Sequence, residues 1–116
     1  MSPNAYETAV TQAKPLVIVF HSDSCHWCVL LRDTILPTSE INAFADGGVF
    51  ALIDATRDDE GKNVSGMIKR LGITKYPSVV ALDVTRTEIV ERGRIVAYHD
   101  LPEFRRQFER IMPPAR

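Results

Sequence analysis

Leu16-Val17-Ile18-Val19-Phe20 is an unbroken apolar run rich in β-branched side chains. A short run without alternation predicts a strand buried on both faces. Before it, Ser2-Pro3 has the form of an N-cap with proline at the first helical position. Tyr6, Val10 and Ala13 then share one helical face, and Lys14-Pro15 ends the segment. After the strand, His21-Ser22-Asp23-Ser24 is a polar loop. Cys25 to Leu36 reads as a helix with Trp27, Leu31 and Ile35 at i, i+4 and i+8, broken or kinked at Pro37. Thr38 to Ala45 is a short helical piece closed by Asp46-Gly47-Gly48, and Val49 to Ala55 predicts a second buried strand.

The polar stretch Thr56 to Asn63, with Arg57-Asp58-Asp59-Glu60 inside it, reads as a solvated surface loop. Val64, Met67, Ile68 and Leu71 mark a third helix, with Gly72 where a left-handed C-terminal cap belongs. Ser78 to Leu82 predicts a third strand, Asp83 to Thr87 a turn, and Ile89 to Tyr98 a fourth strand. Asp100 and Glu103 form a capping pair for a last helix, lined on one face by Leu101, Phe104, Phe108 and Ile111. The predicted order is α-β-α-β-α-β-β-α. Helices between the first strands predict parallel pairing there, and the last two strands suit a hairpin.

Composition narrows the possibilities. A chain of 116 residues fits one domain, 1–116, with no internal repeat or linker. Its hydrophobic content of 45% supports a core without disulfide staples. A net charge of -1 gives no basic face for nucleic acid and no attraction to an anionic membrane surface. No stretch approaches the ~20 apolar residues of a membrane span. Met1 is followed at once by polar residues, which is unlike a signal peptide. The chain is cytoplasmic if Met1 is its native start, and belongs to the bacterial periplasm if a leader was removed.

The two cysteines stand three positions apart, too close for stapling, because closing so short a loop removes little entropy from the unfolded chain. Cys25-His26-Trp27-Cys28 begins a helix directly after a buried strand and a loop. Free N–H groups and the dipole at a helix start stabilise an anion, so Cys25 can ionise near neutral pH. A thiolate is the species that attacks a disulfide. Cys28, one turn inside, can reach back to Cys25 and suits the resolving role. The same spacing also serves zinc sites, which need two further ligands. His21, His26 and His99 are the only histidines, and His26 lies inside the motif.

The strand Leu16–Phe20, the Cys25–Cys28 motif and Tyr76-Pro77 just before a strand resemble the thioredoxin superfamily, from Leu16 to Ile111. Ser24-Cys25-His26-Trp27-Cys28, with the preceding helix and Lys14-Pro15, is most similar to bacterial thioredoxin-like proteins, the branch that includes C-terminal domains of DsbD-type proteins. The resemblance implies a thioredoxin-like α/β fold with a central mixed sheet of about four strands flanked by helices. It implies a cis peptide at Pro77 opposite the cysteine pair, with the Tyr76 backbone offered to an extended substrate segment, as in strand addition. Three departures stand out. The family's Gly-Pro dipeptide is His26-Trp27 here, its buried acid six residues before the first cysteine is Val19, and that acid's lysine partner is Phe50.

The expected function is therefore thiol–disulfide exchange with protein partners, an oxidoreductase of cell redox homeostasis. Cys25 is the nucleophile and Cys28 the resolver. His26 tunes the thiolate, and Trp27, Tyr76 and Pro77 contact the substrate. Trp27 could instead pack on the domain's own loop. The cysteines carry the electrons, so no cofactor and no metal are expected, and the protein is expected to be a monomer. The alternative is a metal-binding or copper-delivery module that recruits His21 or His99 to the same cysteines.

Overall fold

The computed structural model describes residues 3–22, 24–55 and 62–112. In chain order these form α1 (Pro3–Gln12), β1 (Leu16–His21), α2 (His26–Leu30), a π-helical turn (Leu31–Ile35), α3 (Ser39–Asn42), a 3-10 turn (Ala45–Gly47), β2 (Val49–Asp54), α4 (Lys62–Leu71), β3 (Ser78–Val84), β4 (Ile89–Val96) and α5 (Leu101–Ile111). The Ser2 cap and the Arg57–Glu60 loop lie outside the described residues, as do Asp23 and the Val64 side chain. None of the described helices is long and apolar enough to cross a membrane.

The strands form one mixed sheet in the order β2-β1-β3-β4. β1 is central and its apolar run is buried, as the unbroken pattern requires. Alternation along β1 divides the core into two layers. Leu16, Ile18 and Phe20 face α1 and α4 with Ala5, Ala9, Val80 and Leu82. Val17 and Val19 face the other side with Leu31, Ile35, Phe104 and Phe108.

Several expectations are corrected. β3 runs antiparallel to β1, whereas β2 runs parallel to it. Asp54 ends β2 beside His21, and Ser78 starts β3 beside Phe20, so the segment between them begins and finishes at the same end of the sheet. A connection that returns to the end it left must reverse the next strand, whatever helix it contains. β2 is not buried on both faces. It is an edge strand with Ala51 and Ile53 inward and Phe50 and Leu52 exposed. Trp27 is exposed and leaves the buried face that Leu31 and Ile35 occupy, its ring meeting that of Tyr98 instead. The helix after Cys25 shifts into a π turn, with the Leu36 amide donating to the Leu31 carbonyl at 3.0 Å, just before Pro37.

Two helix ends show how sequence sets length. At Gly72, φ is +66°, and the Ile73 amide donates to the Ile68 carbonyl at 2.9 Å, closing a left-handed cap. α1 ends in the same way at Ala13, where φ is 54° and the Lys14 amide donates to the Ala9 carbonyl at 3.0 Å. Ala13 is therefore exposed rather than on the buried face with Tyr6 and Val10. A side chain costs about 1–2 kcal/mol in that conformation, and glycine relieves it at some cost in unfolded-state entropy. Ala13→Gly is thus expected to stabilise the domain by about 0.5–1 kcal/mol, read as a few degrees' rise in thermal midpoint.

β4 carries a bulge opposite Ala81 and Leu82, leaving Arg92 as its extra residue. In an uninterrupted strand Arg92 and Arg94 would face the same way. Here Arg92 Nε donates to the Ile111 carbonyl at 2.7 Å, at the end of α5, while an Arg94 Nη donates to the Leu71 carbonyl at 2.8 Å, at the end of α4. The bulge so lets one strand tie down helices on both faces. Arg94 Nε also donates to Glu91 at 2.8 Å, and this hydrogen bond holds the Glu91 carboxyl below its usual range. A carboxylate with a depressed folded pKa stabilises the fold above its unfolded pKa and loses that contribution as pH falls through the folded value. Glu91→Gln is expected to cost about 0.5–1 kcal/mol in urea unfolding at pH 7. The gap to the native protein should close as pH falls below the ordinary carboxylate range, where the Glu91 carboxyl takes up its proton in both states.

Candidate functional site

β1 delivers the chain to the same sheet end where β3 begins, and the site is built from the loops that meet there. Cys25 is the N-cap of α2, with φ -95° and ψ 105°, and its Sγ accepts a hydrogen bond from the Cys28 amide at 3.1 Å. Sulfur thus takes the place a serine or aspartate oxygen fills at other helix starts, beside N–H groups that have no partner within the helix. Cys25 and Cys28 form a disulfide with Cα atoms 5.2 Å apart. Cys25 is half-buried, whereas Cys28 is only 4% exposed. The sulfur open to a partner is therefore that of Cys25.

The Tyr76–Pro77 peptide bond is cis. The Tyr76 carbonyl lies 3.5 Å from Cys25 Sγ. Once the disulfide is reduced, that carbonyl is an acceptor within reach of the Cys25 thiol. Pro77 is buried, and its own carbonyl accepts from the Ala97 amide at 2.9 Å. Ser78 Oγ donates to the Lys75 carbonyl at 2.7 Å and closes the turn into β3. The loops before α2, before β3 and after β4 are thus joined around one disulfide.

His26 and Trp27 both point to solvent. Their rings meet edge-on, with centroids 5.5 Å apart, and Trp27 is 53% exposed. A second ring beside the indole is that of Tyr98, tilted against it at 5.2 Å. Tyr98 was legible only as the end of the fourth strand. A hairpin register, which sets Val96 opposite Ser78, is the signal that would have brought it to the site. Beyond Tyr98, His99 Nε2 lies 2.9 Å from the Val96 carbonyl, and the Asp100 carboxylate accepts the Glu103 amide at 3.3 Å to cap α5. The Glu103 carboxyl is held low first by its hydrogen bond from Gln107, then by Arg106, His99 and Arg110.

Val19 is buried in the apolar layer with Leu31 and Ile35. Its register partner across the sheet is Leu52, while Phe50, two residues earlier on β2, stands opposite Val17. Hydrocarbon therefore surrounds Val19, and no acid stands at this position of β1. Among the described residues no three His, Cys, Asp or Glu side chains gather as a metal site would require. His21 ends β1 and His99 sits beyond β4, and neither completes such a cluster with the cysteines.

A family profile described as thioredoxin-like matches residues 1–83. No curated protein matches the sequence. Among solved structures, a thioredoxin from Thermus thermophilus superposes with a TM-score of 0.79 at 18% identity, covering 94% of this chain and 82% of that one. A DsbH oxidoreductase gives 0.75 at 20% identity, covering 96% and 81%. The oxidised DsbD C-terminal domain of Neisseria meningitidis gives 0.69 at 23% identity, covering 91% and 89%. At these identities the likeness is one of fold.

Proposed function

The chain belongs to the thioredoxin-like family, and on that footing we propose that Cys25 and Cys28 exchange electrons with disulfides or dithiols of partner proteins. The observation that carries this reading is the asymmetry of the pair: half-buried Cys25 caps a helix with its sulfur, and Cys28 is enclosed behind it. The Cys25 thiolate attacks one sulfur of a partner disulfide. That S–S bond breaks, one partner thiolate leaves, and a mixed disulfide remains. Cys28 then loses its proton and attacks Cys25 Sγ, the second partner thiolate departs, and two electrons have passed to the partner. The same steps in reverse oxidise a partner dithiol. Val19 offers no proton acceptor, so solvent or the partner takes the Cys28 proton.

The Tyr76 carbonyl, 3.5 Å from Cys25 Sγ, and the exposed Trp27 form the ground on which an extended partner segment would lie, with Pro77 shaping the turn beneath. The direct test is reduction of a protein disulfide in the presence of a thiol reductant. The native chain should turn over and a Cys25→Ser, Cys28→Ser double variant should not.

His26 follows Cys25 at the shared helix start. A positive charge there favours the thiolate, and a stabilised thiolate makes the disulfide more oxidising. His26→Ala is expected to move the thiolate absorbance titration to higher pH and lower the potential by about 15–30 mV, a three- to tenfold change in equilibrium constant. Coincident curves for variant and native protein would remove the electrostatic role.

A further inference from the structure

Contacts close a ring around the Cys25–Cys28 disulfide. The Tyr76 carbonyl approaches Cys25 Sγ, the Pro77 carbonyl binds the Ala97 amide, and the next residue, Tyr98, meets Trp27, which returns to Cys25 along the first turn of α2. The links at Tyr76 and Pro77 use main-chain carbonyls, which almost any residue could supply. The link between Trp27 and Tyr98 depends on both side chains being aromatic. Its two members are held differently. Tyr98 is half-buried and packs against the α5-side core, while Trp27 is more than half exposed. The anchored ring therefore orients the exposed one. Trp27, Tyr76, Pro77, Ala97 and Tyr98 carry no charge, and exposed Val96 continues the apolar rim at the end of β4.

The geometry points to Tyr98 as a positioning residue that holds Trp27 as a fixed apolar wall beside Cys25, selecting partner segments with an aromatic side chain next to their cysteine. This rests on the exchange function proposed above. A wall that is already ordered spares the partner the entropy of ordering it. With Tyr98 on one side of the indole and the His26 ring edge-on to it, a partner's ring on the exposed remainder adds an aromatic contact, whose worth corresponds to about three- to tenfold in rate or affinity.

The experiment uses the Cys28→Ser protein and two short peptides whose cysteine is blocked as a mixed disulfide with thiopyridine. One peptide has phenylalanine before the cysteine and the other glycine. Cys25 attacks the peptide sulfur, the S–S bond to the pyridine breaks, and thiopyridone leaves with the electron pair and is read by absorbance. The phenylalanine peptide is expected to react about three- to tenfold faster. In the same background Tyr98→Leu, which keeps apolar bulk against the core, should bring the ratio to about one, and Tyr98→Phe should keep it. The glycine peptide makes no aromatic contact, so its rate in each variant serves as the denominator and the ratio alone reads the wall. Trp27 is the only tryptophan, so its fluorescence anisotropy reads the indole directly. Fast motion should increase in Tyr98→Leu and not in Tyr98→Phe. Rapid reaction with a ratio near one, or a ratio that survives Tyr98→Leu, would overturn the assignment of Tyr98 alone. No reaction with either peptide would overturn the exchange function and this inference with it.

Discussion

Cys28→Ser, reduced and mixed with a partner protein carrying a disulfide, is expected to accumulate a covalent adduct, and Cys25→Ser to accumulate none. The reasoning is steric and electronic together. Cys25 Sγ is the partly open sulfur and receives the Cys28 amide hydrogen bond, so it can hold negative charge where a partner can reach it. Cys28 is 4% exposed and reaches Cys25 from within the same turn. Without Cys28 the mixed disulfide has no internal exit and persists. Without Cys25 the enclosed thiol meets no partner, and exchange should fall by at least about a thousandfold, the scale on which loss of a nucleophile is felt. Adducts are read by non-reducing electrophoresis. Equal trapping by both variants would sink the division of roles.

Phe108→Ala should unfold the domain far more readily without touching the cysteines. Phe108 is 1% exposed and stacks on Phe104 with centroids 5.6 Å apart, while Phe44 meets it edge-on at 5.1 Å and Phe50 tilts toward it at 6.1 Å. Removing it deletes a large buried apolar surface and leaves a cavity in the layer beneath β1 and β3, a loss of about 3–5 kcal/mol. Against a total stability of about 5–15 kcal/mol, that decides whether the protein stays folded at physiological temperature. Leu52→Ala, at an exposed position of the edge strand, should change stability by no more than about 0.5 kcal/mol. Urea unfolding of the two variants gives both numbers, and equal midpoints would contradict the placement of the core.

Much of this was legible in the sequence because local chemistry and tertiary context agree. Leu16 to Phe20 is apolar at every position since β1 has neighbours and helices on all sides. Gly72 ends α4 because a left-handed residue is needed there. Cys25 and Cys28 announce a redox pair through spacing and a helix start. What stayed hidden depends on partners distant in sequence. Val49 to Ala55 looks as apolar as β1, and an apolar run does not say whether its strand lies at the sheet's edge, so exposed Phe50 and Leu52 were unexpected. The direction of β3 depends on which end of the sheet its connection returns to. Ala13 takes a left-handed cap without glycine, against its own preference. Tyr98 acquires its part only when the hairpin brings it to Trp27.

The most direct test of the central claim is a redox titration of Cys25 and Cys28 in glutathione or dithiothreitol buffers, followed by Trp27 fluorescence and by thiol alkylation. A disulfide made for exchange should show one reversible two-electron transition between about -270 mV, as for a reductant like thioredoxin, and about -120 mV, as for a strong oxidant. A reversible transition inside that window is the predicted result. A couple below about -300 mV, the range of structural disulfides, or a pair that cannot be cycled at all, would contradict it.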